Sequence, residues 1–117
     1  MGETWNLAAR VVSDCCTGFI SVAANWWPEG VLKAAEDISQ KNLREINIYL
    51  SKMAAYNLMM LRVFKSRQHS CLAVAKEPMD MVEGVKGGQV RTPLTPLTIA
   101  EREELIKIIK NIGLKVK

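Results

Sequence analysis

The segment that decides the interpretation of this sequence is Gly18-Phe19-Ile20-Ser21-Val22-Ala23-Ala24-Asn25-Trp26-Trp27-Pro28-Glu29. Its apolar run, residues 19–24, is short, lacks polar alternation and is bounded by Gly18 on one side and by Asn25 and Pro28 on the other. A run of this kind is typical of a strand covered on both faces. Pro28 suits the first turn of a helix, where its missing N–H is not needed. The segment therefore predicts one buried strand that leads into a helix.

The rest of the chain is predicted to be helix or loop. Helices are expected over residues 4–14, 28–39, about 41–66, 70–82 and 98–113. Pro78 lies within the fourth of these, so we expect a kink or break near Val74 to Lys76. Thr98 and Glu101 form a capping-box pattern at the start of the last helix, and Gly113 is a natural stop.

Helical spacing also predicts which residues are buried. In the helix from Pro28, Lys33, Glu36 and Asp37 are expected to face water. The inward positions expected there are Val31, Leu32, Ala35 and Ile38. The long helix is expected to bury a seam at Leu43, Ile46, Leu50, Met53, Asn57, Met60 and Phe64. The last helix is expected to bury Leu105, Ile106, Ile108, Ile109 and Ile112.

Composition excludes several classes of protein. The chain has 117 residues, a formal charge of +4 and ordinary globular proportions of apolar and charged residues. Lysines near the carboxyl terminus alternate with glutamates and carry no aromatic residues between them, so we expect a solvated helix face and no nucleic-acid binding. The three cysteines, Cys15, Cys16 and Cys71, fit neither a disulfide framework nor a zinc site. No metal site, no membrane span and a cytoplasmic location are expected.

Three blocks of the sequence resemble one enzyme family. They are Gly2-Glu3-Thr4, the strand segment quoted above, and Gly87-Gly88-Gln89-Val90-Arg91-Thr92-Pro93-Leu94-Thr95-Pro96-Leu97. Their order and spacing resemble the dihydrodipicolinate synthase and N-acetylneuraminate lyase family of Schiff-base aldolases. The resemblance implies the carboxyl-terminal fragment of a (β/α)8 TIM barrel plus its helical extension. The fold expected is thus mainly α with one buried strand, residues 1–39 ending the barrel and residues 40–117 forming the extension.

The resemblance also implies which residues line a site. Gly2, Glu3, Thr4, Ile20 and Val22 correspond to positions that bind pyruvate or the second substrate. An apolar residue at position 22 favours a short aldehyde over a sugar as that substrate. The family's catalytic lysine, tyrosine and threonine pair would all precede Met1, so no catalytic residue and no cofactor are expected here. The alternative is that these five positions are only core and terminus residues.

Three hypotheses of function remain open. The chain is the carboxyl-terminal portion of a pyruvate-dependent lyase that is inactive alone, or a split-enzyme subunit that completes a barrel with another chain. The third is a helical oligomerisation or interaction module. A lone strand has unpaired N–H and C=O groups on both edges, and this predicts a homo-oligomer or a barrel-completing partner chain.

Overall fold

The described part of the protein is mainly helical, as predicted. A computed structural model describes residues 20–82 and 86–117. Within these two ranges four α-helices follow one another: α1 (Pro28–Ser39), α2 (Leu43–Arg67), α3 (Cys71–Met81) and α4 (Ile99–Ile112). Two short 3-10 helices, Ala23–Asn25 and Gln68–Ser70, precede α1 and α3. The helix expected over residues 4–14 lies outside the described residues.

The buried strand expected over residues 19–24 is wrong for residues 20–24; Phe19 lies outside the described residues. Val22 has helical backbone angles, φ −67° and ψ −37°, and Ile20 is 83% exposed. The backbone turns tightly, with the amides of Trp26 and Trp27 both donating to the Ala23 carbonyl. The described residues offer no neighbouring strand, so these polar groups are satisfied locally. Residues 20–24 therefore present no strand edge that would require a partner chain.

The chain forms two compact units, and the division between them falls inside α2, between Met53 and Ala54. In the first unit the buried apolar residues are Ala23, Trp26, Val31, Ala34, Ile46, Tyr49 and Met53. The second unit buries residues of α3 and α4 together with the carboxyl-terminal half of α2, and its largest enclosed side chains include Tyr56, Met59, Val74, Leu105 and Ile109. The domain boundary at residues 39 and 40 stays a prediction.

The bounds of α1 agree with the prediction, but its buried face differs. Val31 is buried as expected, whereas Leu32 is 70% exposed. Ala34 and Asp37 are buried in place of Ala35 and Ile38, which are only half-buried. The inner face is thus rotated by about one residue, since Asp37 has a paired cation that permits its burial.

In several turns of α2, the buried residue is one position away from the residue that the spacing predicts. Its buried residues are Ile46, Tyr49, Met53, Tyr56, Met59 and Val63. Ile46 and Met53 are confirmed, but Leu43 and Phe64 are exposed. From Ile46, a seam can continue at the third residue or the fourth, and spacing alone does not choose between them. Tyr49 and Tyr56 are buried in place of the predicted Leu50 and Asn57, and their rings bury a large apolar area.

Helix α3 continues through Pro78 without the predicted break. Proline has no N–H, so the carbonyl of Val74, four residues earlier, lacks its usual helical donor. The hydroxyl of Tyr56 donates a buried hydrogen bond to that carbonyl at 3.3 Å. Pro78 itself is fully enclosed. A buried carbonyl that would otherwise lose a partner is therefore satisfied from α2, which explains how the helix accommodates its proline.

The start of α4 confirms the predicted capping box. The Thr98 hydroxyl accepts from the Glu101 amide, and the Glu101 carboxylate accepts from the Thr98 amide. Both oxygens of Glu101 also accept from Arg67 at the end of α2, at 2.7 and 2.6 Å. Gly113 ends the helix in the left-handed conformation, φ 105°. Four of the five predicted residues are buried, and Ile106 is half-buried.

None of the helices in the described residues has the length and apolarity that a membrane-crossing segment requires.

The bond between Tyr56 and Val74 predicts a specific energetic coupling. We expect Tyr56→Phe to lower the free energy of unfolding by about 1–3 kcal/mol, because it leaves a buried carbonyl without its donor. In a Pro78→Ala background the alanine amide can donate to Val74, so the same change should cost clearly less. A double-mutant cycle measured by urea denaturation checks this. Equal costs in the two backgrounds would contradict the assigned role of Tyr56.

The carboxylate of Glu101 predicts a loss of stability in acid. Burial opposes its ionisation, but hydrogen bonds from Thr98 and Arg67 outweigh burial and lower its pKa below the ordinary 4.5. The unfolded state then binds more protons, so this contribution is fully present above about pH 4.5 and is lost as the pH falls through the folded-state pKa. Glu101→Gln should flatten the acid limb of the stability profile. The exposed Glu103→Gln, on the same helix, is the matched control and should leave it unchanged.

Candidate functional site

Of the five residues expected to bind substrate, only Ile20 and Val22 lie within the described structure, so that site stays a prediction. Gly2, Glu3 and Thr4 lie outside the described residues. Ile20 is highly exposed and Val22 is half-buried, and neither lies on a strand. Ile20 and Val22 line no part of the cleft described below, and the candidate site is formed by other residues.

The first unit contains a cleft of about 290 Å³. Residues of α1, the residue before it and the amino-terminal half of α2 line this cleft: Trp27, Glu29, Gly30, Lys33, Ala34, Asp37, Glu45, Ile48, Tyr49 and Lys52. Its volume approaches the lower end of the range that small-molecule pockets occupy. None of these residues is among the site residues predicted from the sequence.

Aromatic rings form one wall of the cleft. Trp27 lies near-parallel to Tyr49, with centroids 5.7 Å apart, and near-parallel to Trp26 at 6.5 Å. The Trp27 ring also lies directly against Gly30, where an added Cβ would clash with the indole carbons. A glycine inside a helix ordinarily costs stability. Here it gives the indole room to lie against α1, and this signal was present in the sequence as Trp-Trp-Pro-x-Gly.

Opposite charges meet on the other side of the cleft. Lys33 Nζ lies 3.1 Å from Asp37 Oδ2 and 3.8 Å from Glu45 Oε2. The Asp37 side chain is only 8% exposed, whereas the Lys33 side chain is 62% exposed. The expectation that Asp37 faces water was wrong because its partner is one helical turn away and carries the charge to the surface.

This pairing determines the chemistry of Lys33. The hydrogen bond that Lys33 donates to the Asp37 carboxylate raises the pKa of Lys33 above its ordinary 10.5, against a smaller opposing effect of burial. An amine that attacks a carbonyl must be neutral, which requires a lowered pKa. Lys33 is therefore a cation that binds or neutralises carboxylates and is a poor nucleophile.

The remaining charged groups of the cleft allow binding but supply no catalytic pair. Lys52 Nζ lies 6.0 Å from the Trp27 ring centroid, at the outer limit of a cation–π contact. Glu29 lies in the first turn of α1. Within residues 20–82 and 86–117, no group of three histidine, cysteine or acidic side chains could hold a metal ion. The geometry is that of a binding cleft with an aromatic wall and compensated charges.

All ten lysines of the chain fall within the described residues, and none is buried. Lys76 is the only one that is half-buried, and its Nζ donates to the Gln89 carbonyl at 2.8 Å. The apolar, desolvated setting that activates a lysine for imine formation is thus absent at every one of them.

Within the second unit, hydrogen bonds hold the block from Gly87 to Leu97 against residues at both ends of α3. The Asp80 carboxylate accepts from the amides of Gly87 and Gly88, each at 2.9 Å. A side chain at Gly87 would clash with the Lys76 carbonyl, so the chain approaches α3 as closely as only glycine allows. Further along the block, Ser70 Oγ and Thr95 Oγ1 lie 3.1 Å apart. The segment that carries the family resemblance therefore has a defined structure.

Comparisons of the chain with protein-family models, with curated proteins and with solved structures gave no match.

The packing of Trp27 on Gly30 reverses the usual effect of a helical alanine. Gly→Ala within a helix ordinarily stabilises by roughly 0.5–1 kcal/mol. We expect Gly30→Ala to destabilise the protein instead, because the new methyl group displaces an indole packed between Trp26 and Tyr49. In a Trp27→Ala background the same change should become stabilising. Thermal unfolding of the four proteins measures this, and stabilisation by Gly30→Ala in the wild-type background would contradict the packing.

Proposed function

We propose that this chain is the carboxyl-terminal portion of a pyruvate-dependent Schiff-base lyase that resembles the dihydrodipicolinate synthase and N-acetylneuraminate lyase family. In this proposal it is a fragment of a TIM barrel with its helical extension, it is cytoplasmic, and it has no lyase activity alone. The supporting observation is the docked block from Gly87, where Asp80 and Lys76 hold the first residues of one of the three blocks that carry the resemblance. The clash that any side chain at Gly87 would cause explains why glycine is needed there.

The setting of the lysines supports the second part of the proposal. A Schiff-base aldolase needs a lysine that loses its proton near neutral pH. None of the chain's ten lysines is buried, and the pKa of Lys33 is raised. Another part of the enzyme must therefore supply the imine-forming residue, together with the strands that close the barrel.

Pyruvate or a related 2-keto acid is the proposed substrate of the completed barrel. Gly2, Glu3, Thr4, Ile20 and Val22 are the proposed binding positions, with a short aldehyde as the second substrate. The described residues contain no strand, so this site requires neighbouring strands from outside them. If the chain is a separate gene product, we propose that it is a split-enzyme subunit and binds a partner chain that forms the rest of the barrel.

The third hypothesis, a helical oligomerisation or interaction module, has an observation in its favour. Large apolar side chains that one chain would normally bury are exposed on its helices: Leu32, Leu43, Ile48, Leu58, Leu61, Phe64, Leu72 and Ile99. Leu58, Leu61 and Phe64 lie within two turns of α2, and such a group of exposed apolar side chains supports contact with another chain. A homo-oligomer remains a proposal on this ground, without the strand pairing first expected.

The first experiment treats the isolated chain with pyruvate and borohydride and looks for a covalent adduct by mass spectrometry. We expect no adduct at any lysine, because none is desolvated. An active aldolase of the resembling family, treated in parallel, serves as the positive control. A stoichiometric adduct on this chain would overturn the proposal that it has no catalytic lysine.

The second experiment tests the lyase ancestry directly. A member of the resembling family is truncated before its seventh barrel strand, and this chain is fused in place of the missing part. We expect the fusion to form the borohydride-trapped pyruvate adduct on the lysine of the supplied barrel, while the truncated barrel alone forms none. A folded fusion, judged by cooperative unfolding, that forms no adduct would contradict the proposal.

A further inference from the structure

The cleft of the first unit lies between one face of α1 and one face of α2. Each helix contributes its positions i, i+3, i+4 and i+7, which share one side of a helix. These lining residues are Gly30, Lys33, Ala34 and Asp37 of α1 and Glu45, Ile48, Tyr49 and Lys52 of α2. Nothing in the proposed lyase function uses this cleft, so its chemistry can be considered separately.

Carboxylates outnumber ammonium groups along the cleft. The acidic lining residues are Glu29, Asp37 and Glu45, and the basic ones are Lys33 and Lys52. Asp37 and Glu45 lie beside the same ammonium group, with the Lys33 Nζ 3.1 Å from the first carboxylate and 3.8 Å from the second. Asp37 is the nearer partner, so Glu45 shares a cation that is already paired. The cleft therefore carries an excess of negative charge, which a cationic ligand would neutralise.

The aromatic wall of the cleft already attracts a cation of the protein itself. Lys52 Nζ lies over the Trp27 ring at 6.0 Å from its centroid, the outer limit of a cation–π contact. The Lys52 side chain is exposed and makes no ion pair within the described part of the chain. An exposed lysine at this distance is readily displaced by a cation that approaches the ring more closely. The Trp27 ring is thus a suitable surface for a ligand cation.

Anionic ligands and metal ions fit this cleft poorly. Lys33 is paired with Asp37, so Lys52 alone could bind an anion, and it would do so against the excess of carboxylates. The described residues contain no group of three histidine, cysteine or acidic side chains that could hold a metal ion. The cleft also has apolar lining from Ala34 and Ile48, which favours a ligand that carries hydrocarbon groups as well as charge.

We propose that the cleft binds a compact organic cation, an ammonium group that carries methyl or other small apolar groups. Its charge lies against the Trp27 ring, where it displaces Lys52, and the carboxylate of Glu45 contributes to its neutralisation. Its apolar groups pack on Ala34 and Ile48. Aromatic faces recognise methylated ammonium groups in this way, and a cleft of about 290 Å³ suits a small ligand. The proposed binding goes beyond the lyase ancestry and does not depend on it.

The experiment titrates the isotope-labelled full chain with three probes that share one branched head, and nuclear magnetic resonance follows the indole N–H signal of Trp27. The probes are choline, the alcohol in which a tert-butyl group replaces its trimethylammonium group, and the tert-butylacetate anion. We expect choline to shift the signal saturably. The neutral alcohol should bind at least about fivefold more weakly, because a cation–π contact of about 1 kcal/mol corresponds to that factor. The anion should bind more weakly still.

Two variants assign the site and the sign of its charge. Lys52→Met keeps an unbranched apolar side chain but removes the competing cation, so choline should bind about threefold or more tightly. Glu45→Gln should weaken choline by about threefold, as the loss of a partly exposed counter-charge does. Glu103→Gln, at an exposed carboxylate of α4 in the other unit, is the matched control and should change nothing. Circular dichroism should report an unaltered fold for all three.

Four outcomes would overturn the proposed binding. They are equal binding of choline and its neutral analogue, no saturable shift with any probe, unchanged choline binding in Glu45→Gln, and tighter binding of tert-butylacetate that Lys52→Met abolishes. The last outcome identifies the cleft as an anion site. None of these results depends on the borohydride adduct or on the fusion with a barrel, so the cation site and the proposed function can fail separately.

Discussion

The hydrogen bond from the Tyr56 hydroxyl to the Val74 carbonyl is the interaction on which the second unit depends. Pro78 deprives that carbonyl of its helical donor, and α3 continues because a side chain from α2 replaces it. The continuous helix places Lys76 and Asp80 where they hold the Gly87 block. That block leads to Thr98 and the capping box of α4. Tyr56 thus supplies the hydrogen-bond donor that Pro78 lacks. The path of the chain from Gly87 to α4 depends on the continuous helix α3.

A comparable constraint organises the first unit. The Trp27 indole lies on the backbone of α1 because Gly30 has no side chain, and it reaches both Trp26 and Tyr49. Asp37 is buried in the same unit because Lys33 neutralises it. These two features form the walls of the cleft. The cleft lies between the packed indole of Trp27 and the ion pair of Lys33 with Asp37.

The proposed function requires the described residues to contact other protein surface. The described residues contain no buried lysine and no strand. Their exposed apolar side chains suit contact with other protein surface.

The sequence by itself determined the helices. Their bounds follow from local signals that act within one turn: Pro28 at a first helical position, the Thr98 and Glu101 capping box, and Gly113 at a carboxyl end. Tertiary structure decided which faces are buried, because a seam beginning at Ile46 can continue through Leu50 or Tyr49 with equal periodicity. It also decided that residues 20–24 turn, since an apolar run becomes a strand only where a neighbour pairs with it. The bond that satisfies Val74 joins residues 18 positions apart, and the stacking of Trp27 on Tyr49 joins two separate helical segments, so no local pattern carries this information.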